Sequence, residues 1–238
     1  MKKLAILVGA IALSGTTLAQ RPEGSNPFSL EGGLSLNATE NTFSAPTIKL
    51  RYFATDNIAG RLGLSYNSSK DIYNFYGFDA NFDQTADSLG TVTAKSSMTW
   101  VSIGGSYHFS QLEKLSPYVA LDLMYGMGSY NESWSNADGN DPFDQTDGGS
   151  YVDGLSAEVN TKNSGIGFGL SAGFDYYFAQ NVFIGAELGL MYNSVNDKGG
   201  TVSSTFGNTT ENADILTSGK SSSMGNSATA AIRLGWRF

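Results

Sequence analysis

The chain has 238 residues, among them 29 glycines, 5 prolines and no cysteine, and 12% of its residues are aromatic. Without cysteine there can be no disulfide framework, no cysteine-ligated metal and no thiolate nucleophile. The formal net charge of −8 at pH 7 argues against nucleic acid as a partner. Abundant glycine and aromatic residues with few prolines are typical of many short strands joined by turns.

The first twenty residues, MKKLAILVGAIALSGTTLAQ, have the three parts of a secretory signal peptide. Two lysines give a basic start, the apolar run LAILVGAIAL follows, and small residues lead to Ala19. That run is too short for a transmembrane helix, and no later stretch approaches the roughly 18 apolar residues that a spanning helix requires. We therefore predict a signal peptide over 1–19, with an uncleaved anchor as the alternative, and one exported domain over 20–238.

Eight later segments alternate apolar and polar residues with a period of two, which is typical of β-strands with two unlike faces. No stretch shows a convincing helical period, so the sequence predicts an all-β chain. In chain order the predicted strands are 27–38, 46–54, 58–67, 97–109, 117–130, 164–178, 182–194 and 224–238.

The predicted connections alternate between short and long. The short turns are 55–57, 110–116 and 179–181, and the long connections are 39–45, 68–96, 131–163 and 195–223. Long unstructured insertions are uncommon in compact soluble domains, whereas short turns on one side and long loops on the other are typical of an outer-membrane barrel. An even number of strands then places both termini in the periplasm, with the short turns.

Charged residues separate the two faces of the predicted strands. All nine charges within the strands lie on the face opposite the large apolar residues; they are Glu31, Lys49, Arg51, Arg61, Asp122, Asp175, Glu187, Arg233 and Arg237. A soluble β-sandwich would also segregate its charges, but here eight of them lie within about six residues of the short-turn end, in one layer. A closed barrel satisfies its backbone hydrogen bonds in lipid, with apolar residues outside and a polar lining inside. We predict an eight-stranded antiparallel up-and-down transmembrane β-barrel with short periplasmic turns and long extracellular loops.

Three segments carry a family resemblance: RYFATDNIAGRLGLSY, SYHFSQLEKLSPYVALDLMYG and the last strand, which ends in LGWRF. Together they resemble the small outer-membrane β-barrel family of Gram-negative bacteria, similar to the OmpA/OmpX-type barrel domain. The resemblance implies outer-membrane lipid as a partner. In that family a terminal aromatic strand is read by the barrel-assembly machinery, so the resemblance makes Trp236 and Phe238 the expected assembly signal. We expect a monomer.

Two other motifs have simpler explanations than ligand binding. GIGFGLSAG at 165–173 imitates a phosphate-binding loop, but its first, third, fifth and last residues are glycines on one face of a predicted strand, and no helix follows. They are better explained as making room inside a narrow barrel. The acidic segment 136–158 could hold calcium, but it lacks the EF-hand spacing, and a solvated acidic loop is favoured. We predict no metal site and no cofactor.

An enzyme hypothesis rests on His108, the single histidine. His108-Phe109-Ser110 resembles the His-x-Ser pair of outer-membrane lipid A deacylases, in which a base activates a hydroxyl. Here the pair would lie at the periplasmic end of a strand, far from lipids of the outer leaflet. An omptin-type protease would need a histidine at the extracellular mouth, where this sequence has none. We predict that the protein is not an enzyme.

The inward charges allow two functional interpretations. The predicted luminal charge network is Glu31, Arg51, Arg61, Asp122, Asp175, Glu187, Arg233 and Arg237. Arg233 is its expected centre, with Glu31 and Glu187 at similar heights on the neighbouring strands. We favour a buried network that fills the lower lumen over a gate whose ion pairs rearrange.

The sequence is compatible with three functions. The sequence favours a structural or surface-interaction role, in which long acidic extracellular loops on a plugged barrel contact molecules outside the cell. The alternative is a narrow channel or carrier for small solutes. A lipid-modifying enzyme is third.

Overall fold

The computed structural model describes residues 26–37, 42–78, 84–109, 112–136, 156–206, 209–215 and 219–238. These residues form nine strands. In chain order they are β1 (Phe28–Asn37), β2 (Thr42–Phe53), β3 (Ile58–Phe78), β4 (Gln84–His108), β5 (Leu115–Asn136), β6 (Ser156–Ala179), β7 (Val182–Phe206), β8 (Thr209–Ile215) and β9 (Lys220–Arg237). The described part of the chain contains no helix long and apolar enough to cross a membrane. The predicted signal peptide lies outside these ranges.

Eight of the nine strands close into an antiparallel ring. Consecutive strands pair from β1 to β7, and β9 joins β7 to β1. At this closure Arg233 lies opposite Gly33 on one side and Gly185 on the other. The predicted eight-stranded up-and-down barrel is therefore confirmed. The additional strand, β8, pairs with the upper part of β7, beyond the residues that pair with β9.

The strands on the long-loop side continue well beyond their predicted ends. The ladder between β3 and β4 runs unbroken past Ser68 and Ser97 as far as Phe75 opposite Gly90. Above the apolar band both faces of a hairpin are polar, so the alternation that reveals a strand is lost while the backbone ladder continues. The prediction of long loops is therefore wrong for the described parts of 68–96, 131–163 and 195–223, which mostly form strands of these hairpins.

The barrel is apolar outside and polar inside. On the outer face, Leu62, Leu121, Leu170 and Leu188 each expose between 49 and 63% of their surface. The outward run from Val119 to Met127 covers roughly 27 Å of strand at about 3.4 Å per residue, or a height of roughly 20 Å at a tilt of about 40°. This height matches the apolar band of an outer-membrane barrel.

Candidate functional site

The lumen on the short-turn side holds eight charged side chains that form two groups of four, each with two cations and two carboxylates. The lower quartet consists of Glu31, Arg51, Asp175 and Arg233, and the upper quartet consists of Lys49, Arg61, Asp122 and Glu187. Each quartet has no net charge when its groups are ionised. The side chains meet because they occupy inward positions on seven strands of the ring.

The lower quartet is a closed ring of four salt bridges. Arg51 Nη1 donates to Asp175 Oδ2 at 2.7 Å, and its Nη2 donates to Glu31 Oε2 at 3.0 Å. Arg233 Nη1 donates to Glu31 Oε2 at 2.7 Å, and its Nη2 donates to Asp175 Oδ1 at 2.9 Å. All four side chains are at most 2% exposed. Each charge is therefore compensated by two others in a part of the lumen that is almost fully buried.

The upper quartet is an open chain of three salt bridges. Glu187 accepts from Lys49 Nζ at 2.8 Å and from Arg61 Nη2 at 3.0 Å. Arg61 Nη2 also lies 3.2 Å from Asp122 Oδ2. The side chains of Lys49, Asp122 and Glu187 remain 11 to 15% exposed. This quartet is therefore the wetter of the two.

Tyr118 joins the two quartets. Its hydroxyl donates to Glu187 Oε2 at 2.6 Å. The guanidinium carbons of Arg51, Arg61 and Arg233 lie 5.8, 5.7 and 5.2 Å from the centre of its ring. These distances are within the range of cation–π attraction, so one buried aromatic residue stabilises cations of both quartets.

An aromatic layer closes the barrel below the lower quartet. Phe53, Tyr177 and Phe183 are at most 6% exposed. The guanidinium of Arg51 lies 5.0 Å from the centre of the Phe183 ring, and that of Arg237 lies 3.9 Å from the centre of the Phe53 ring. The short-turn end of the lumen is thus filled by rings and guanidinium groups.

Arg237 faces the short-turn end and lies apart from both quartets. Its Nε donates to the carbonyl of Asn26 at 2.7 Å, and its Nη2 lies 3.9 Å from Asp56 Oδ1. The sequence pattern predicts Arg237 as a member of the luminal charge network. In the structure it connects the last ring strand to the chain segment before β1.

His108 lies in the same aromatic layer and is fully buried. Its Nδ1 is 2.8 Å from Ser116 Oγ and its Nε2 is 3.3 Å from Ser106 Oγ. The hydroxyl suggested by the His-x-Ser motif belongs to Ser110, which lies outside the described residues. Both ring nitrogens of His108 are thus engaged by serines of the barrel interior.

Glycines on neighbouring strands make room for the charged side chains. Gly185 lies opposite Asp175 on one strand and Arg233 on another. A Cβ atom at this position would be 2.7 Å from Arg233 Nη2 and 2.9 Å from Asp175 Oδ1. Gly104, opposite Asp122, is restricted in the same way by the Asp122 carboxylate. The salt bridge between Arg233 and Asp175 in the lower quartet therefore depends on the absence of a side chain at Gly185.

A cavity of about 390 Å³ lies on the long-hairpin side of the charge network and is lined by residues of both quartets. Its floor includes Lys49, Asp122 and Glu187 of the upper quartet and Glu31 and Arg233 of the lower quartet. Its wall residues include Ser102, Trp100, Met124, Met191 and Asn193. Charged groups at the floor and soft apolar groups on the wall make this space amphipathic.

Two details of the charge network differ from the sequence prediction. Arg233 contacts Glu31 as predicted, but its second carboxylate is Asp175, so the predicted contact with Glu187 is wrong. Glu187 lies opposite Ala231, two residues above Arg233, whereas Asp175 reaches Arg233 across Gly185. Lys49, absent from the predicted network, is a full member of the upper quartet, although its inward position in the strand was available as a signal.

No group of three or more histidine, aspartate or glutamate side chains within the described ranges is placed to hold a metal ion. The five aspartates of the acidic segment 136–158 lie outside those ranges. The glycines of 165–173 lie on β6 and face the lumen, where Gly165 approaches the Trp100 ring and Gly167 approaches Met124.

Comparison with solved structures gives several likenesses that cover most of this chain at low identity. A major outer membrane protein from Thermus thermophilus is 13% identical, with 89% of this chain and 98% of that chain covered and a TM-score of 0.48. The N-terminal β-barrel domain of Pseudomonas aeruginosa OprF is 16% identical, with 91% and 100% covered and a TM-score of 0.32. The attachment invasion locus protein Ail of Yersinia pestis is 13% identical, with 91% and 100% covered and a TM-score of 0.36.

No curated protein matches the sequence. The model of the OmpA-OmpF-like porin family matches residues 35–217, which is more than half of the chain. The chain therefore belongs to the OmpA-OmpF-like porin family, and it is a porin-like β-barrel protein of the outer membrane.

Proposed function

We propose that this protein is a sealed, monomeric outer-membrane barrel that acts through its tall hairpins rather than by conducting solutes. The observation that carries the proposal is the course of the salt bridges across the lumen. Arg51 on β2 and Asp175 on β6 belong to strands that are four apart in either direction around the ring. Arg61 on β3 and Glu187 on β7 are related in the same way. Both quartets therefore span the full width of the barrel.

A network of this kind is costly to open. An eight-stranded barrel is only just wide enough for side chains to fill it, and here guanidinium groups and rings occupy the width. Separating a buried charge from its partner costs on the order of 3–5 kcal/mol. A solute would have to break several such contacts in the lower quartet at once.

The hairpins supply a rigid surface above the membrane. From Tyr66 to Phe78, β3 continues for roughly 40 Å of strand at about 3.4 Å per residue, or a height of roughly 30 Å at a tilt of about 40°. At their inner face, Glu132 accepts hydrogen bonds from Tyr130 and, at 2.5 Å, from Trp134 Nε1. The bond to Glu132 raises the pKa of the Tyr130 hydroxyl to about 12. Recognition sites are commonly placed on such extensions of a rigid scaffold.

The proposed orientation has the hairpins outside the cell and both termini in the periplasm. Its support is the difference between the two ends of the barrel. The turn between β2 and β3 is closed by a bond from the Ala54 amide to the Ile58 carbonyl at 2.9 Å, and Asn181 with a φ of 64° makes the turn between β6 and β7. Short turns of this kind are typical of the periplasmic end.

Single-channel recording tests whether the lumen is closed to ions. We expect the purified full-length protein to give no stable conductance steps in planar bilayers, with a large general porin recorded as the positive control. Large, stable openings of the wild-type protein would overturn the proposal.

Cysteine labelling tests the orientation, because the chain has no cysteine of its own. Ile72 lies on the hairpin and is 57% exposed, whereas Glu113 is an exposed residue of a short turn. A membrane-impermeant maleimide added to intact cells is expected to label Ile72→Cys and to leave Glu113→Cys unlabelled. The opposite pattern would reverse the orientation.

The outer cavity supports a second candidate, a narrow channel or carrier for small solutes. The cavity reaches both quartets, and three side chains of the upper quartet are partly exposed. A solute in the cavity would still face the closed lower quartet. For this candidate the same recording would show small solute-dependent steps in the wild type.

A further inference from the structure

Three lysines form a cluster on the outer face of the barrel, which we call the lysine ledge: Lys70, Lys95 and Lys162. Lys70 on β3 lies directly opposite Lys95 on β4. Lys95 is opposite Asn131, and Asn131 is opposite Asn160. Lys162 lies two residues below Asn160 on the same face of β6, and all three lysines are exposed. The ledge therefore spans four neighbouring strands.

The ledge begins where the lipid-facing band ends. Tyr66, which is 51% exposed, is the last large residue of the band on β3 and lies four residues below Lys70 on the same face. Between them runs a row of serines in which Ser97 Oγ lies 3.0 Å from Ser129 Oγ. Four residues of strand rise about 13 Å along the chain. The ledge is thus at the height of lipid headgroups.

Within the described residues, the charges of the ledge are only partly compensated. Like charges directly opposite each other destabilise a strand pair, and the chain as a whole carries a net charge of −8. In the described part of the chain, none of the three lysines forms a salt bridge. An arrangement of this kind favours an external anion.

One carboxylate, Glu158, lies near the ledge. It accepts hydrogen bonds from Asn131 Nδ2 at 2.7 Å and from Asn160 Nδ2 at 3.0 Å. These amide groups hold the pKa of the Glu158 carboxyl below its usual range. Glu158 therefore stays ionised, and three lysines with one carboxylate leave a net charge of about +2 on this patch.

We propose that the lysine ledge binds the phosphate groups of glycolipids in the outer leaflet. Lysine binds phosphate as a point charge, and the serine row, which lies below Lys70 and beside Lys162, offers hydroxyl donors. A lipid is favoured over a soluble polyanion because the ledge continues the face that contacts lipid. The acyl chains would lie along Tyr66 and Leu64 while the phosphates meet the lysines. The proposal rests on the orientation given above.

The test compares the triple variant K70Q/K95Q/K162Q with K114Q. Lys114 is an exposed lysine of a short turn at the other end of the barrel, so K114Q removes a surface charge without touching the ledge. Binding of bisphosphorylated lipid A and of its dephosphorylated form is measured on the full-length protein in detergent micelles. At about five-fold per lysine, the triple variant is expected to bind bisphosphorylated lipid A on the order of 100-fold more weakly. K114Q is expected to bind like the wild type.

Three outcomes would overturn the proposal. They are equal binding by the triple variant and the wild type, equal binding of both lipid A forms by the wild type, and stronger competition by heparin than by lipid A, which would indicate a sulfated glycan instead. Maleimide labelling of a Lys70→Cys variant on intact cells separates this test from the orientation. If lipid A binds in micelles but the Lys70→Cys variant is not labelled from outside, the ledge is real and the orientation is wrong, so the outer leaflet is excluded as its lipid source.

Discussion

Arg51 and Arg233 share the same two carboxylates. Asp175 gives one oxygen to each arginine, at 2.7 and 2.9 Å, and Glu31 Oε2 accepts from both, at 3.0 and 2.7 Å. The four residues come from β1, β2, β6 and β9, so a single ring of salt bridges joins opposite walls of the barrel. Removing one member leaves the other three with an unbalanced charge.

Arg233→Leu is expected to destabilise the barrel by on the order of 3–5 kcal/mol, because Glu31 and Asp175 are left with one arginine between them. The excess negative charge should also admit water and cations. Heating in SDS measures the first effect, as the temperature at which the folded band is lost from gels. Bilayer recording measures the second, as cation-selective openings.

Arg233→Lys is the matched control, since it keeps the charge but cannot reach both carboxylates in the same fork geometry. It should lose less thermal resistance than Arg233→Leu and stay closed. A leucine variant that melts and conducts like the wild type would show that the lower quartet is not a seal.

Gly185→Ala should disturb the same ring without removing a charge. Its Cβ would lie 2.7 Å from Arg233 Nη2 and 2.7 Å from the Phe174 carbonyl, and overpacking of this kind costs about 1–3 kcal/mol. The control is Gly32→Ala, whose Cβ would meet no atom within 4 Å. In the SDS heating assay we expect only Gly185→Ala to lower the transition. Equal behaviour of the two variants would mean that the ring can shift to accommodate a methyl group.

The sequence predicts the barrel well because lipid and lumen impose opposite demands on alternate residues. Leu121, Asp122 and Leu123 show this contrast within three positions, and the ring strands follow it. The contrast disappears above the membrane, where residues such as Ser68 and Ser69 are exposed on both faces. The side-chain pattern therefore predicts strands that end too early. The backbone pairing continues beyond them, because it does not depend on side-chain polarity.

The charge network is less predictable than the strands. Parity along each strand identifies which charges face inward, Lys49 included. It does not say which of them meet, because contacts such as Arg51 with Asp175 cross the lumen between strands that share no ladder. The error over Glu187 is related: the prediction considers only the strands adjacent to β9, whereas Asp175 lies on the next strand but one and reaches Arg233 across Gly185. Tyr118 was missed because tyrosines commonly occupy the outer interfaces of barrels.

Glu187→Gln tests which quartet closes the lumen. The change leaves Lys49 and Arg61 with a neutral partner, but the lower quartet remains intact. We expect a loss of about 2–3 kcal/mol, smaller than for Arg233→Leu because the site is partly exposed, and no conductance in bilayers. Glu113→Gln, in an exposed short turn, serves as the control. Openings of Glu187→Gln as large as those of Arg233→Leu would place the seal in the upper quartet.

His108→Ala addresses the enzyme hypothesis. The ring is fully buried and its nitrogens contact Ser106 and Ser116, so in the proposed orientation we expect it to be out of reach of a lipid of the outer leaflet. Mass spectrometry of lipid A from cells that express the variant should show the same acyl pattern as cells that express the wild type. Loss of two hydrogen bonds and a ring should still lower the SDS transition temperature. A change of acyl pattern that requires both His108 and Ser110 would restore the enzyme hypothesis.

Phe238→Ala separates assembly from stability at the seam of the barrel. The Phe238 amide donates to the Phe28 carbonyl at 2.7 Å, and the Phe28 amide donates back at 3.0 Å, so these backbone bonds survive the substitution. The lost ring contacts Trp236 at 5.0 Å and Phe28 at 6.2 Å between centroids, which is worth about 0.5–1.5 kcal/mol per pair. Refolded protein should therefore melt only slightly earlier than the wild type. If the side chain is also read by the barrel-assembly machinery, the amount of folded barrel in cells should fall much further than this loss explains.

Tyr52→Ala, which removes a ring 5.2 Å from Phe28 on the same outer face, is the control and should lower stability without a matching loss of assembly. Equal yields from both variants in cells would remove Phe238 from the assembly signal.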